Sequence, residues 1–197
     1  MATNNSITAE LEAHIAILQQ TVGECDTQIS ELAEKIISCF ERGNKLLLCG
    51  NGGSAADAQH VAAEFINRFR FDRPALPAIA LTTDSSILTC IGNDSSFDFV
   101  FSRQVEALVN TGDIVIGIST SGGSKNVLNA LGAARKKGIQ TIGFTGEKGR
   151  TTMGDQCDVC LVIPSTDTAR IQEAQEFVWH FICGTVEERL FRAESNA

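Results

Sequence analysis

The sequence predicts an α/β fold with three layers, α-β-α, around a five-stranded parallel sheet. Three observations carry this. Five short apolar runs recur along the 197 residues, amphipathic stretches separate them, and two runs end in glycine- and serine-rich turns that open into helices. Short buried runs spaced by helices are the pattern of a parallel sheet covered on both faces. In such sheets ligands sit beyond the carboxyl ends of the strands.

The chain opens on two helical stretches. Ile7, Leu11, Ile15, Leu18 and Val22 keep a spacing of three to four, and Ile29, Leu32, Ile36 and Phe40 repeat it. They read as an N-terminal helical hairpin over 1–43 that packs on the remaining domain, 44–197, and on a partner subunit. Strands are expected at 45–49, 77–81, 113–118, 140–144 and 158–163. Helices are expected at 53–69, 85–92, 97–110 and 124–137, and a long one closes the chain at 168–193. No repeat, low-complexity segment or linker divides the chain.

Composition excludes several classes of function. With 43% hydrophobic and 20% charged residues the chain is an ordinary globular protein. Its formal net charge of -8 offers no basic footprint for nucleic acid or an anionic membrane. A phosphate would have to be held by local dipoles. No stretch approaches the roughly 20 apolar residues of a membrane span. The start, MATNNSITAELEAH, lacks the basic and apolar regions of a secretory leader. Seven scattered cysteines suit free thiols in a reducing cytoplasm. Cys157 and Cys160 look like a pair, but in a strand residues three apart point to opposite faces, so no zinc or redox role is expected there.

Two loops could hold a phosphate. The first strand ends in Cys49-Gly-Asn-Gly-Gly-Ser54 and the third in Ile118-Ser-Thr-Ser-Gly-Gly-Ser124. Glycines admit a ligand close to the backbone, and free N–H groups at a helix start favour an anion. Each loop alone is equally well explained as a tight turn with a serine N-cap; two in equivalent positions point to an anion site. The first loop also fits Gly50-x-Gly52-x-x-Ala55 of dinucleotide folds, but the nearest acid after the second strand, Asp84, is too distant in sequence for the ribose partner. No Gly-Lys-Ser/Thr follows, so the P-loop reading fails.

Polar stripes carry the candidate chemistry. On the helix after the first loop, Ala58, Val61, Ala62, Phe65 and Ile66 mark a core face, and Asp57, His60, Glu64 and Asn67 lie opposite. His60 and Glu64, at i and i+4, suit two ligands for one metal, or a carboxylate held by an imidazole; a solvated helix face is the plain alternative. On the last helix Ile171, Ala174, Val178, Phe181 and Ile182 face inward. His180 points the other way, beside Glu173, Glu176 and Glu187, either toward a neighbouring chain or paired with Glu176. A second apolar flank of Trp179, Cys183, Val186 and Leu190 suggests burial on more than one side. Ile91-Gly-Asn-Asp94 reads as a turn, and His14 as structural.

Taken in order, CGNGGSAADAQHVAAEF (49–65), RPALPAIAL (73–81), IGND (91–94), GDIVIGISTSGGSKNV (112–127) and RIQEAQEFVWH (170–180) resemble the phosphoheptose isomerases of the SIS-domain superfamily. The resemblance spans the whole chain. It implies interconversion of sedoheptulose 7-phosphate and D-glycero-D-manno-heptose 7-phosphate through an enediol, the entry to activated heptose for lipopolysaccharide and other surface glycans. It also implies a cytoplasmic homotetramer with sites at subunit boundaries and, in some members, one zinc ion per subunit. Carried over, Glu64 and His180 match the catalytic pair, and His60, Glu64, Gln172 and His180 the metal ligands. Asn51, Gly52, Gly53, Glu64, Asn93, Asp94, Ser119, Thr120, Ser121, Ser124 and Gln172 match the sugar-phosphate contacts. Gln172 and His180 stand about 12 Å apart along a regular helix at ~1.5 Å per residue. For one ion to touch both, they must come from different subunits, or Gln172 must precede the regular helix. Position 175 is Gln, where many relatives carry a second histidine. The alternative functions are a catalytically silent SIS tetramer that binds a replication initiator or other protein, and a sugar-phosphate sensor. The presence of both Glu64 and His180 favours the enzyme.

Overall fold

The computed structural model describes residues 6–192; the first five residues of the stretch read for a leader, and the end of the last helix at 193, lie outside them. Five parallel strands form one sheet in the order β2-β1-β3-β4-β5: β1 (Leu46–Gly50), β2 (Ala78–Ala80), β3 (Ile114–Ile118), β4 (Gln140–Gly146) and β5 (Val159–Ile163). Side chains alternate across each strand. Leu46, Leu48, Ile114, Ile116, Ile142, Phe144 and Leu161 therefore join one core, with α1 (Ile7–Glu41), α2 (Gly53–Ile66) and α6 (Thr168–Phe191). Leu47, Cys49 and Val115 join the other, with α4 (Ser102–Leu108) and α5 (Lys125–Lys136). Burial raises the thiols of Cys39, to about 11, and Cys49, to about 12.

The start of the chain differs from expectation. Residues 7–41 are one continuous helix, not a hairpin. Cys25 is the reason: it is buried, and it links the two apolar runs into a single repeat, Leu18, Val22, Cys25, Ile29, Leu32, Ile36, with no change of phase. Gly23 lies inside the repeat, but without a proline or second turn residue beside it the cost is only ~1 kcal/mol relative to alanine. Ser6 caps the helix, accepting from the Ala9 amide at 3.2 Å. Helix α1 lies on α6, where His14 Nδ1 meets Glu173 Oε2 at 2.7 Å.

Smaller departures concern faces and ends. Ile66 and Phe181, assigned to core faces, are exposed. The 91–94 stretch closes helix α3 (Ser85–Asp94) and is not a separate turn. The helix expected over 97–110 is a single 3-10 turn, Phe97–Phe99, followed by α4. Cys157 precedes β5, so strand alternation does not separate it from Cys160. A hydrogen bond from the Cys160 thiol is the main cause lowering the Cys157 thiol below its ordinary range, against its own burial.

Candidate active site

The two glycine- and serine-rich loops follow β1 and β3, neighbours in the sheet from which the chain departs in opposite directions, the usual place for a ligand crevice. Gly52, at φ 57, is the N-cap of α2 and contributes no side-chain cap. Ser124 is the N-cap of α5, yet its hydroxyl does not cap the helix: it lies 3.0 Å from Ser119 Oγ. Both helix starts thus lack the serine cap that would make these loops ordinary turns, and their amides can serve an anion. The two loops are clipped together by a reciprocal amide pair, Asn51 Nδ2 to Asn126 Oδ1 and Asn126 Nδ2 to Asn51 Oδ1, each 2.8 Å. Ser121 Oγ accepts from the Gly123 amide at 3.3 Å. Thr120 is half-buried beside it.

Helices α2 and α6 lie side by side and run in the same direction. Gly53 meets Gln172, His60 meets His180, and residues 69–73 meet Glu187. A Cβ at Gly53 would stand 2.1 Å from Gln172 Nε2, so the Gln172 amide is seated against the first loop. Two turns further along, His60 Nε2 lies 3.0 Å from His180 Nε2. Glu176 Oε1 lies 2.9 Å from the first nitrogen and 3.2 Å from the second. Glu64 Oε1 stands 3.6 Å from His60 Nε2. Phe69 stacks on the His180 ring, centroids 5.5 Å apart. Asp57 Oδ2 is buried without a hydrogen-bond partner, and burial, then the Glu176 charge, raise its carboxyl to about 6 against the pull of His60.

Of the expected metal ligands, then, His60 and His180 meet, and Glu64 stands just beyond hydrogen-bond reach of His60. Gln172 lies inside α6, which begins at Thr168, so an irregular helix start does not bring it to the histidines. Asn93 and Asp94 are exposed at the end of α3 and bond to each other, Asn93 Nδ2 donating to Asp94 Oδ1 at 2.8 Å. Gln175 is fully buried and takes no part in the contacts of the cluster. Glu176 is the cluster member that reasoning from sequence passed over as a ligand. Its only local signal was the i, i+4 spacing to His180. Two imidazole nitrogens and a carboxylate oxygen are a donor set that fits a borderline divalent ion such as zinc.

The chain matches the SIS domain family over residues 11–146. It is 56% identical over 182 residues to a phosphoheptose isomerase of Roseiflexus sp. (strain RS-1), covering 92% of each chain. A phosphoheptose isomerase of Trichlorobacter lovleyi is 54% identical over 185 residues, 94% of each. Among solved structures, the phosphoheptose isomerase GmhA from Neisseria gonorrhoeae superposes with a TM-score of 0.87 at 41% identity, covering 92% of this chain and 97% of that one. A phosphoheptose isomerase from Francisella tularensis gives 0.88 at 36%, covering 92% and 96%.

Proposed function

We infer the reaction from the family, for the chain belongs to the phosphoheptose isomerases of the SIS-domain family and is an aldose–ketose isomerase of a heptose phosphate. The substrate pair is sedoheptulose 7-phosphate and D-glycero-D-manno-heptose 7-phosphate, and the product supplies activated heptose for surface glycans. The observation that supports this reading is the meeting of α2 and α6, where the Glu64 carboxylate lies 3.6 Å and the His180 imidazole 3.0 Å from His60 Nε2.

Isomerisation moves one hydrogen from C1 to C2 and exchanges the carbonyl between them. The Glu64 carboxylate takes the proton from C1 of the ketose while His180 gives a proton to the C2 carbonyl oxygen, leaving an enediol. Glu64 then returns its proton to C2, and His180 recovers one from the C1 hydroxyl. The hydroxyls of 119–124 and the amides at the start of α5, with Gly52 and Gly53, hold the phosphate, and Asn93 and Asp94 reach the sugar in the assembled oligomer. A zinc ion held by the two histidines and a carboxylate would supply positive charge to polarise the carbonyl.

A cytoplasmic homotetramer is part of the same proposal. It is supported by the apolar side chains that one chain leaves exposed, Ile7, Leu11, Ile15 and Val22 on α1 and Phe177 and Phe181 on α6. No helix among the described residues is long and apolar enough to cross a membrane.

The deciding experiment is an aldose–ketose assay with sedoheptulose 7-phosphate on the native protein and Glu64→Gln. Turnover by the native protein and a loss of at least ~100-fold in the variant are expected, since a positioned general base contributes about 10²–10⁴-fold. Equal rates remove Glu64 as the base, and no turnover by either protein favours the silent, partner-binding alternative.

A further inference from the structure

We infer that Asn126 is a positioning residue of the sugar-phosphate site, paired with Asn51 so that the loops after β1 and β3 keep one spacing around the phosphate. The inference rests on the isomerase reading and deepens it. The family resemblance counts Asn51 among the sugar-phosphate contacts and gives Asn126 no role.

Strand pairing holds the two loops together only as far as Gly50 and Ile118, the last residues matched between β1 and β3. Past that point the chain diverges into α2 and α5. Among the described residues, two hydrogen bonds alone join 51–54 to 119–126: Asn51 Nδ2 to Asn126 Oδ1 and Asn126 Nδ2 to Asn51 Oδ1, each 2.8 Å. The β3 loop is otherwise tied to β4, by the Ser119 amide on the Phe144 carbonyl at 2.9 Å and the Gly146 amide on the Thr120 carbonyl at 3.1 Å.

A reciprocal amide pair suits this task. One bond lets a side chain swing, whereas two antiparallel bonds fix distance and rotation together. Orientation is set as well: Asn126 Oδ1 also accepts from the Val127 amide at 3.0 Å, so the oxygen and not Nδ2 faces the helix start. Asn126 is 3% exposed, and with Asn51 gone its amide has little water to turn to. Both groups are neutral, so the clip neither repels a phosphate nor binds it in place of the loops.

The bonds around the pair also decide which amides a phosphate can use. Asn126 takes the Val127 amide, and the Ser124 carbonyl takes the Leu128 amide at 3.0 Å. In the β1 loop the carbonyls of Asn51 and Gly52 take the amides of Ser54, Ala55 and Ala56, at 3.1, 3.1 and 3.2 Å. Among the described residues, the donors left at the two helix starts are the amides of Gly52 and Gly53 and of Lys125 and Asn126. Two small donor sets on separate loops grip one anion well only if their spacing is held. Asn51 meanwhile has both ends of its side-chain amide engaged before a sugar arrives.

The test compares the native protein with Asn51→Ala, Asn126→Ala and the double variant, reading KM and kcat for sedoheptulose 7-phosphate and, by calorimetry, affinity for inorganic phosphate. Each single substitution breaks both bonds and is expected to raise KM and weaken phosphate binding about 10-fold, the net worth of two neutral hydrogen bonds. Little change in kcat is expected, since Glu64 lies about three turns further along α2. The double variant should lose no more than the worse single, because the second substitution finds nothing left to break. Were Asn51 a sugar contact, the losses would multiply and phosphate affinity would not follow KM. Were Asn126 only a support of α5, Asn51→Ala would bind phosphate as the native protein does. Either result overturns the inference, as does a native protein without measurable phosphate binding. Asn126→Asp, isosteric and able to keep the Val127 bond, replaces the alanine variant if that one does not fold, and should lose more phosphate affinity as ionic strength falls. Failure of the isomerase reading is distinct: the native protein would not turn over sedoheptulose 7-phosphate, while the coupled loss of phosphate affinity would persist.

Discussion

Two glycines of the loops after β1 and β3 answer to different constraints, and substitution separates them. Gly122 has φ 66, and a Cβ there would stand 2.3 Å from the backbone Cα of Gly149. The left-handed conformation alone costs about 1–2 kcal/mol for another residue, and a backbone neighbour cannot rotate away. Gly122→Ala should lower stability by about 2 kcal/mol or more in urea unfolding; a variant as stable as the native chain would show that the loop repacks freely. Gly53 has no such strain, and its neighbour is the flexible Gln172 amide. Gly53→Ala should keep the fold and raise KM for the sugar phosphate by displacing that amide, whereas an unchanged KM would take Gln172 and this loop out of the substrate site. The motif itself was legible in the sequence. Which glycine tolerates a side chain was not, because the obstructing atoms come from Gly149 and Gln172, far along the chain. Glu176 was hidden for the same reason: its distance to His60 is set by how α2 meets α6, and no spacing within one helix records that.

The contact between α2 and α6 is fixed by a clamp beyond the active groups. Arg73 and Glu187 pair at 3.1 Å with both side chains only 1% exposed. Glu187 also accepts from the amides of Phe69 and Arg70, at 2.8 and 2.7 Å, while Arg73 donates to the carbonyls of Glu64 and Phe65 at 2.7 and 2.8 Å. The last turn of α2, which carries Glu64, is thereby tied to α6, which carries His180. Removing one partner strands a buried charge, at a cost of about 3–5 kcal/mol. Arg73→Met should show that loss in denaturant unfolding; a loss under ~1 kcal/mol, the range of exposed pairs, would mean that the clamp is solvated. A second tie anchors β1 to the start of β3. Burial alone would raise the Asp113 carboxyl, but bonds from Lys45 Nζ at 2.6 Å and from the amides of Asn110 and Lys45 outweigh it and hold it below its ordinary 3.8. A depressed carboxyl stabilises the fold above its unfolded value and loses that contribution as pH falls through its folded value. The stability gap between the native protein and Asp113→Asn should therefore be full at pH 7 and shrink below pH 3.8; a gap independent of pH would assign it to packing. Strand positions were readable because a parallel sheet needs continuous apolar runs. The reversal expected in the first helix was wrong because one buried cysteine, not counted among the apolar positions, carries the repeat through.

Across the whole molecule, one face is left unfinished. Ile7 is 88% exposed, and Leu11, Ile15 and Val22 continue the same edge of α1 toward Phe177 and Phe181 on α6. Val22, Asp26, Ile29 and these two phenylalanines line a groove of about 150 Å3. Helix α3, which ends in Asn93 and Asp94, has no buried residue at all. Single exposed apolar residues are ordinary, but a continuous row on the longest helix is a surface that association would bury. The sequence showed the row through its spacing, yet could not say whether its own chain covers it. The structure shows that it does not, and the groove runs alongside the helix that carries Glu176 and His180. If the proposed tetramer forms through this face, Leu11→Glu combined with Ile15→Glu should lower the mass in size-exclusion chromatography with light scattering, without unfolding a chain in which both residues are already solvated. The proposed reaction needs Asn93 and Asp94 to reach a sugar whose phosphate is held at the β1 and β3 loops, and within one chain their side chains hydrogen-bond within their own helix. Activity should therefore fall with the mass. An active monomer would refute the shared substrate site.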